Sequence, residues 1–169
     1  MAESEAYEQL PRGLAHPLVL VETGHNFGFG RGNNAAFNYI VAKGDGDYVW
    51  LLNNDTVIDH TTLSKMLTTA QRSPGIIGSV VRYYSSPQEI QVYGGGYMTS
   101  LTGRVSSAKR KEKAPLDFIT GASMMMDHST VRDVGFFDEA IFMYFEDIEY
   151  CIRAKKRGVL CQVSDGMVY

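Results

Sequence analysis

Long apolar runs, surplus positive charge and cysteine are all scarce in this sequence, and each scarcity excludes a class of protein. Apolar stretches such as 48–52 and 122–126 fall far short of the roughly 20 residues of a membrane-spanning helix. Lys and Arg number 16 against 19 Asp and Glu, a net charge of −3, so the basic footprint of a nucleic-acid binder is missing and no nucleic-acid partner is expected. The two cysteines, Cys151 and Cys161, form neither a C-x-x-C pair nor a multi-cysteine framework; they read as reduced thiols of a cytoplasmic protein. The acidic opening residues 1–9 have no apolar core, so no secretory signal peptide is expected. Internal repeats and low-complexity linkers are also lacking, which leaves one domain over 1–169.

The 169 residues are 44% hydrophobic and 11% aromatic, the profile of a soluble domain that buries about 68–70% of its unfolded surface. Residues 18–21 form a short β-rich run and predict a buried strand. Asn33 or Asn34 can cap a helix through Ala35, Phe37, Ile40 and Val41 that stops at Gly44. A second buried strand at 48–52 ends in Asn53-Asn54-Asp55-Thr56, and a helix from Thr61 or Thr62 stops at Ser73-Pro74-Gly75 before a third strand at 76–83. This order predicts parallel βαβ units. Short strands follow around Gly94–Gly96 and Gly103, then a basic stretch at 109–113 that reads as a mobile loop. Residues 118–126 are β-like, Ser129 or Thr130 opens a short helix ending near Gly135, a last helix runs from about Phe145 to Lys156, and 159–163 closes as a strand.

Three places carry candidate chemistry. Asn26-Phe-Gly28-Phe-Gly30-Arg-Gly32-Asn33-Asn34 is a Gly-rich loop between a strand and a helix, a geometry that offers N–H groups to phosphate. It matches neither the dinucleotide fingerprint nor the Walker pattern, and taken alone a plain tight turn is the better explanation. Asp55 stands just past a buried strand, where open α/β sheets bind ligands. One carboxylate there holds Mg²⁺ or Mn²⁺ only together with a diphosphate, and an Asx-turn is the competing explanation. Glu146 and Asp147 open a helix behind the apolar run Phe142-Met-Tyr-Phe145, which predicts partial desolvation and proton transfer near neutral pH; Glu149 and Arg153 make an ordinary i, i+4 pair. The scattered His25, His60 and His128 have no ligand spacing, and Met124–Met126 reads as a core strand.

The order and spacing of three blocks resemble glycosyltransferase family 2, with its GT-A nucleotide-sugar fold, and in particular rhamnosyltransferase-like members. The blocks are the loop 26–34, the strand and polar end 47–55, and the segments 118–123, 134–139 and 145–153. The resemblance implies an α/β fold of GT-A-like (Rossmann-like) type, with a mixed, mostly parallel sheet flanked by helices. It implies inverting transfer of a sugar from a UDP- or dTDP-sugar to a saccharide or lipid-linked saccharide in cell-surface polysaccharide synthesis. Carried over by motif, Asp55 holds Mn²⁺ or Mg²⁺, Asn53 lies near the sugar or ribose, and Asp147 is the base with Glu146 beside it. Asn26, Gly28, Gly32 and Asn33 lie on the nucleotide side, and Gly121 lies where donor and acceptor meet.

Two departures from the family pattern shape further expectations. The motif opens with Asn53 where the family usually has Asp. The family also begins with a strand, a helix and an Asp-ending strand before the position of Leu18, and continues past Tyr169 to a metal-binding histidine, so a fragment with its N-terminal side incomplete is expected. The edge this uncovers predicts a homo-oligomer. The resemblance further implies a cytoplasmic location with peripheral association at the inner face of the membrane. A non-catalytic, self-associating remnant is the competing reading, and a dinucleotide-dependent oxidoreductase is disfavoured by the failed glycine pattern.

Overall fold

The computed structural model describes residues 5–9, 18–44, 46–111 and 114–169. Strands β1 (Glu5–Gln9) and β2 (Leu18–Glu22) pair antiparallel in a sheet of their own. The sequence predicts 18–21 as a buried strand among parallel neighbours, yet Leu20 is 59% exposed. An apolar run fixes strand tendency but not its partner, and here the partner is local.

Helix α1 (Phe29–Lys43) begins ahead of the expected Asn33 or Asn34 cap. Its N-cap is Gly28, in a conformation open only to glycine (φ 84°, ψ 177°), and Asn33 is already inside the helix, donating its amide to the Phe29 carbonyl at 2.8 Å. Gly44 closes the helix in the left-handed region, as expected. Strand β3 (Tyr48–Leu52), helix α2 (Thr62–Arg72) and strand β4 (Ile76–Tyr83) follow where the sequence places them. Strands β5 (Ser86–Tyr93), β6 (Gly95–Thr99) and β7 (Arg104–Ser107) are the short strands around the glycines. In the basic stretch after β7, Lys109 donates to the Gln91 carbonyl at 2.6 Å, and residues 112–113 lie outside the described ones.

Strands β8 (Phe118–Ile119) and β9 (Ser123–Asp127) are separated by the turn at Thr120–Ala122. Helix α3 (His128–Val134) starts just ahead of the expected Ser129 or Thr130 and is capped by Asp127, which accepts the Thr130 N–H at 2.6 Å. Helix α4 (Glu146–Lys155) and strand β10 (Cys161–Val168) complete the chain, the strand starting later and running longer than expected.

The main sheet has the order β10-β4-β9-β3, with β5 also pairing β4. Among the described residues only β10 and β4 pair in parallel; β9 runs antiparallel between β3 and β4, so the two strands of the βαβ unit point the same way without touching. The sheet is buried on both faces. Met124 and Met126 join the larger core with Phe37, Ile119, Val131 and Tyr150, while Met125 faces Met66, Ala70 and Ile77 beneath α2. That alternation is the period of two of a buried strand.

β3 is left with one open edge. Its register with β9 runs from Tyr48↔Asp127 to Leu52↔Ser123, flanked by the Asn53 N–H on the Ala122 carbonyl and the His128 N–H on the Asp47 carbonyl. Hydrogen-bonded pairs therefore fall at Val49 and Leu51, and the backbone groups of Tyr48, Trp50 and Leu52 point outward. Among the described residues no strand pairs with that side.

Candidate active site

Helix α4 begins from an unusual entry. Tyr144 (φ 66°) and Phe145 (φ 72°) are the non-glycine residues with positive φ among those described, and they stand consecutively before Glu146. Each such residue costs about 1–3 kcal/mol and is held only where surrounding structure dictates it. Here the strained pair turns the chain so that Glu146 and Asp147 enter the protein. Glu146 is 7% exposed, and its Oε2 is buried without a hydrogen-bond partner. Asp147 accepts the Gly121 N–H on Oδ2 at 2.9 Å and the Ile148 N–H on Oδ1 at 2.8 Å.

Burial pushes both carboxyls above the ordinary range. For Asp147 desolvation outweighs the lowering from the Gly121 and Ile148 N–H groups; for Glu146 it is joined by the neighbouring Asp147 charge and opposed by its own backbone N–H. The desolvation that the sequence predicts is thus present. The apolar run credited with it lies largely in the open, with Phe142, Met143, Tyr144 and Phe145 all half exposed or more.

Gly121 is the hinge of the arrangement. A Cβ there would lie 2.9 Å from the end of the Phe29 ring and 3.7 Å from the Asp147 Cβ. The space beside this glycine is filled by Phe29, so close packing of ring and carboxylate accounts for it. The next residue, Ala122, accepts the Asn53 N–H at 3.1 Å, tying the end of β3 to the same turn. The Asn53 carbonyl accepts both the N–H (3.3 Å) and the hydroxyl (2.7 Å) of Thr56, and Asp55 stands exposed in the turn between. Beyond it, Val57 and Tyr169 exchange two backbone hydrogen bonds at 2.8 Å, anchoring the loop to the end of β10.

The Gly-rich loop reaches the site through its backbone. Asn26 Oδ1 accepts the Gly28 N–H at 3.0 Å, and the Phe29 N–H donates to the Phe142 carbonyl at 3.3 Å. A Cβ on Gly28 would collide with that carbonyl oxygen. A direct hydrogen bond therefore joins Gly121 and Asp147, while Asn53 reaches them through Ala122 and Gly28 through its neighbour Phe29, with Glu146 adjacent in the chain and Asn26 bonded to Gly28. Gly32 and Asn33 sit on α1 instead, Gly32 facing open space and Asn33 engaged within the helix. Asp55 is linked to the group through the turn alone.

Two supporting residues, Phe29 and Asn34, and part of the role of a third, Arg153, escape the sequence-based reading. Phe29 covers Gly121 and packs edge-on against Phe137 (5.9 Å between ring centres), which in turn contacts Tyr150 at 4.8 Å. Buried Asn34 accepts the Phe137 N–H at 2.9 Å and donates to its carbonyl at 3.0 Å, holding the segment after α3 against α1. Its signal was a lone amide on the apolar stripe of α1. Arg153 pairs with Glu149 through two bonds (2.8 and 2.9 Å), as the i, i+4 spacing predicts, and also donates to the Val134 and Phe136 carbonyls at 2.6 and 2.7 Å.

As a metal site the donor set is sparse. No cluster of three or more His, Cys, Asp or Glu side chains able to hold a metal occurs among the described residues. An exposed Asp55 near Asn53 suits a cation that arrives with phosphate oxygens, and does not suit one caged by protein.

The architecture has a counterpart among solved structures: the protein A197 from STIV superposes with a TM-score of 0.59 over 89% of this chain and 69% of that one, at 11% identity. That likeness defines an α/β class of fold. The family model described as glycosyltransferase like family 2 matches residues 5–166, and the chain belongs to that family. It is 28% identical to the low-salt glycan biosynthesis hexosyltransferase Agl10 of Haloferax volcanii, over 99% of this chain and 57% of that protein. It is 26% identical to the rhamnosyltransferase WbbL of Escherichia coli K12, over 94% of this chain and 70% of that protein. Identity is 28% to an N-acetylglucosaminyl-diphospho-decaprenol L-rhamnosyltransferase of Mycobacterium tuberculosis, over 83% of this chain and 54% of that protein. The chain thus spans little more than half the length of the first and third of these relatives.

Proposed function

We propose that the chain is part of an inverting glycosyltransferase that moves a sugar from a UDP- or dTDP-sugar to a hydroxyl of a saccharide or lipid-linked saccharide in glycan synthesis. Support comes from family membership and from one observation above all: a half-buried carboxylate with raised proton affinity is fixed by the Gly121 N–H, at the turn that also holds the end of β3. Each Asp147 oxygen accepts one backbone N–H and keeps a further lone pair. Asp147 takes the proton of the acceptor hydroxyl as its oxygen bonds to the anomeric carbon, and the bond from that carbon to the diphosphate breaks on the opposite face. Glu146 is the second choice of base. Asn53 orients the sugar or ribose, Gly121 marks where donor and acceptor meet, and Asn26, Gly28, Gly32 and Asn33 lie toward the nucleotide.

Asp55 would hold Mn²⁺ or Mg²⁺ together with the donor's phosphates, and such a cation neutralises charge on the departing diphosphate. Among the described residues no helix is long and apolar enough to cross a membrane. A cytoplasmic enzyme working against the inner membrane face, self-associated through the open edge of β3, completes the proposal.

Calorimetry with UDP and dTDP tests the donor side. Affinity should depend on Mn²⁺ and fall in Asp55→Ala. Binding that is equal in EDTA, or unchanged in the variant, would refute the metal role.

A further inference from the structure

Helix α4 lies along the outer edge of β8. In the small sheet β7-β6-β8, β8 pairs with β6 on one side, and among the described residues no strand of that sheet takes the other. Side chains of α4 meet this edge in step. Asp147 Oδ2 accepts the Gly121 N–H at 2.9 Å, Cys151 Sγ accepts the Ile119 N–H at 3.3 Å, and Lys155 Nζ donates to Asp117 Oδ1 at 2.8 Å. The helix partners stand four residues apart and the strand partners two. Four residues of helix advance about 6 Å and two residues of strand about 6.6 Å, so the two periods match and the contacts repeat as rungs. The helix thus does for β8 what a neighbouring strand would, and covers its edge.

The middle rung is a thiol for a reason. Cys151 is fully buried in the larger core, and its S–H donates to the Ile119 carbonyl at 3.9 Å. An alkyl side chain there would leave the Ile119 N–H without a partner, and a carboxylate would set a second negative charge one helical turn from Asp147. The thiol avoids both. Burial first, and then Cys161 beside it, push its pKa up and keep it neutral. The lower rung is tied further, since Asp117 Oδ2 accepts the Met98 N–H at 3.1 Å and the Cys161 thiol donates to the Asp117 carbonyl at 3.8 Å.

Resting on the transferase reading above, we infer that Cys151 is a positioning residue: its contact with Ile119 fixes the register of α4 against residues 117–121, and that register aims Asp147 at the acceptor hydroxyl. Cys151 itself touches no reacting atom. It acts through the strand that carries the Gly121 N–H.

Hydrogen–deuterium exchange on the whole chain, read by NMR at single amides, tests this with no ligand present. Cys151→Ala and Cys151→Val both remove the polar contact, and the second keeps the volume filled. Each should speed exchange at Ile119 and Gly121 ~10-fold or more, while Val49 and Leu51, held by β9, stay within about threefold of the parent. Faster exchange at Ile119 alone, equal speeding at all four amides, or a Cys151→Val protein that matches the parent would each overturn the assignment. In a preparation with measurable transfer, both variants should lower kcat ~10-fold at unchanged donor KM, since position acts on the chemical step rather than on donor binding. Unchanged kcat beside a loosened Gly121 refutes the positioning role. Full transfer in Asp147→Asn refutes the base itself, and is told apart from the first failure because the amide pattern of the Cys151 variants would stand.

Discussion

Asp147 receives two backbone N–H groups, so replacing it alters orientation as well as basicity. In a preparation with measurable transfer, Asp147→Asn should lower the rate about 10²–10⁴-fold while nucleotide affinity stays nearly constant, because a base acts in the transition state. Glu146→Gln should cost less, and a reversed order of the two variants would move the base to Glu146. Since only the ionised form accepts a proton and burial raises its pKa, the rate should fall with acid at a pH above the usual carboxylate range. The same burial affects stability. Glu146 binds its proton more tightly folded than unfolded, so its stabilising contribution is full below the unfolded pKa and lost as pH rises through the raised folded value. Urea titrations from pH 4 to 7 should therefore show Glu146→Gln gaining on the parent as pH rises; a constant difference would mean that Glu146 is solvated. The adjacent carboxylates were legible in the sequence because they follow an apolar run at a helix start. Phe29 was not, since what it touches lies about a hundred residues away, and Asn34 showed only as a lone amide on an apolar stripe with no hint of its partner.

Helices α1 and α4 meet through their entries rather than their faces. Gly28 is pressed against the Phe142 carbonyl in a backbone region that only glycine tolerates. Gly28→Ala should cost about 1–3 kcal/mol of unfolding free energy from backbone strain alone. It should also displace Phe29 from Gly121, seen as altered amide shifts at Gly121 and Asp147; an unperturbed Gly121 signal would show the docking to be incidental. Arg153 ties the segment after α3 to α4 through a fork that lysine cannot reproduce. Arg153→Lys should destabilise the chain by about 1.5–3 kcal/mol, the range for hydrogen bonds to charged groups, and a variant as stable as the parent in urea would reduce Arg153 to its Glu149 pair. Helix ends marked by Gly44 or Ser73-Pro74-Gly75 were readable because glycine and proline act locally. The start of α1 was not, because its cap is a glycine conformation rather than the asparagine side chain expected for the role.

At the scale of the molecule, the sequence separates helices from strands correctly and says little about which strands touch. β9 carries the same apolar signature whether it lies parallel or antiparallel, and its insertion between β3 and β4 is decided by packing of Met124–Met126 on both faces. Self-association through β3 should give a light-scattering mass above the monomer that falls when Trp50→Pro removes an outward N–H. A monomer at every concentration would sink that proposal. The one-sided pairing of β3 also sets a rhythm in time. Amide protons of Val49 and Leu51 are held by β9, while those of Tyr48, Trp50 and Leu52 face away from it, so in dilute protein deuterium should enter this five-residue strand at alternate positions. Raising the concentration should slow the fast set and leave the slow set unchanged, turning a single strand into an internal gauge of whether its second edge is covered.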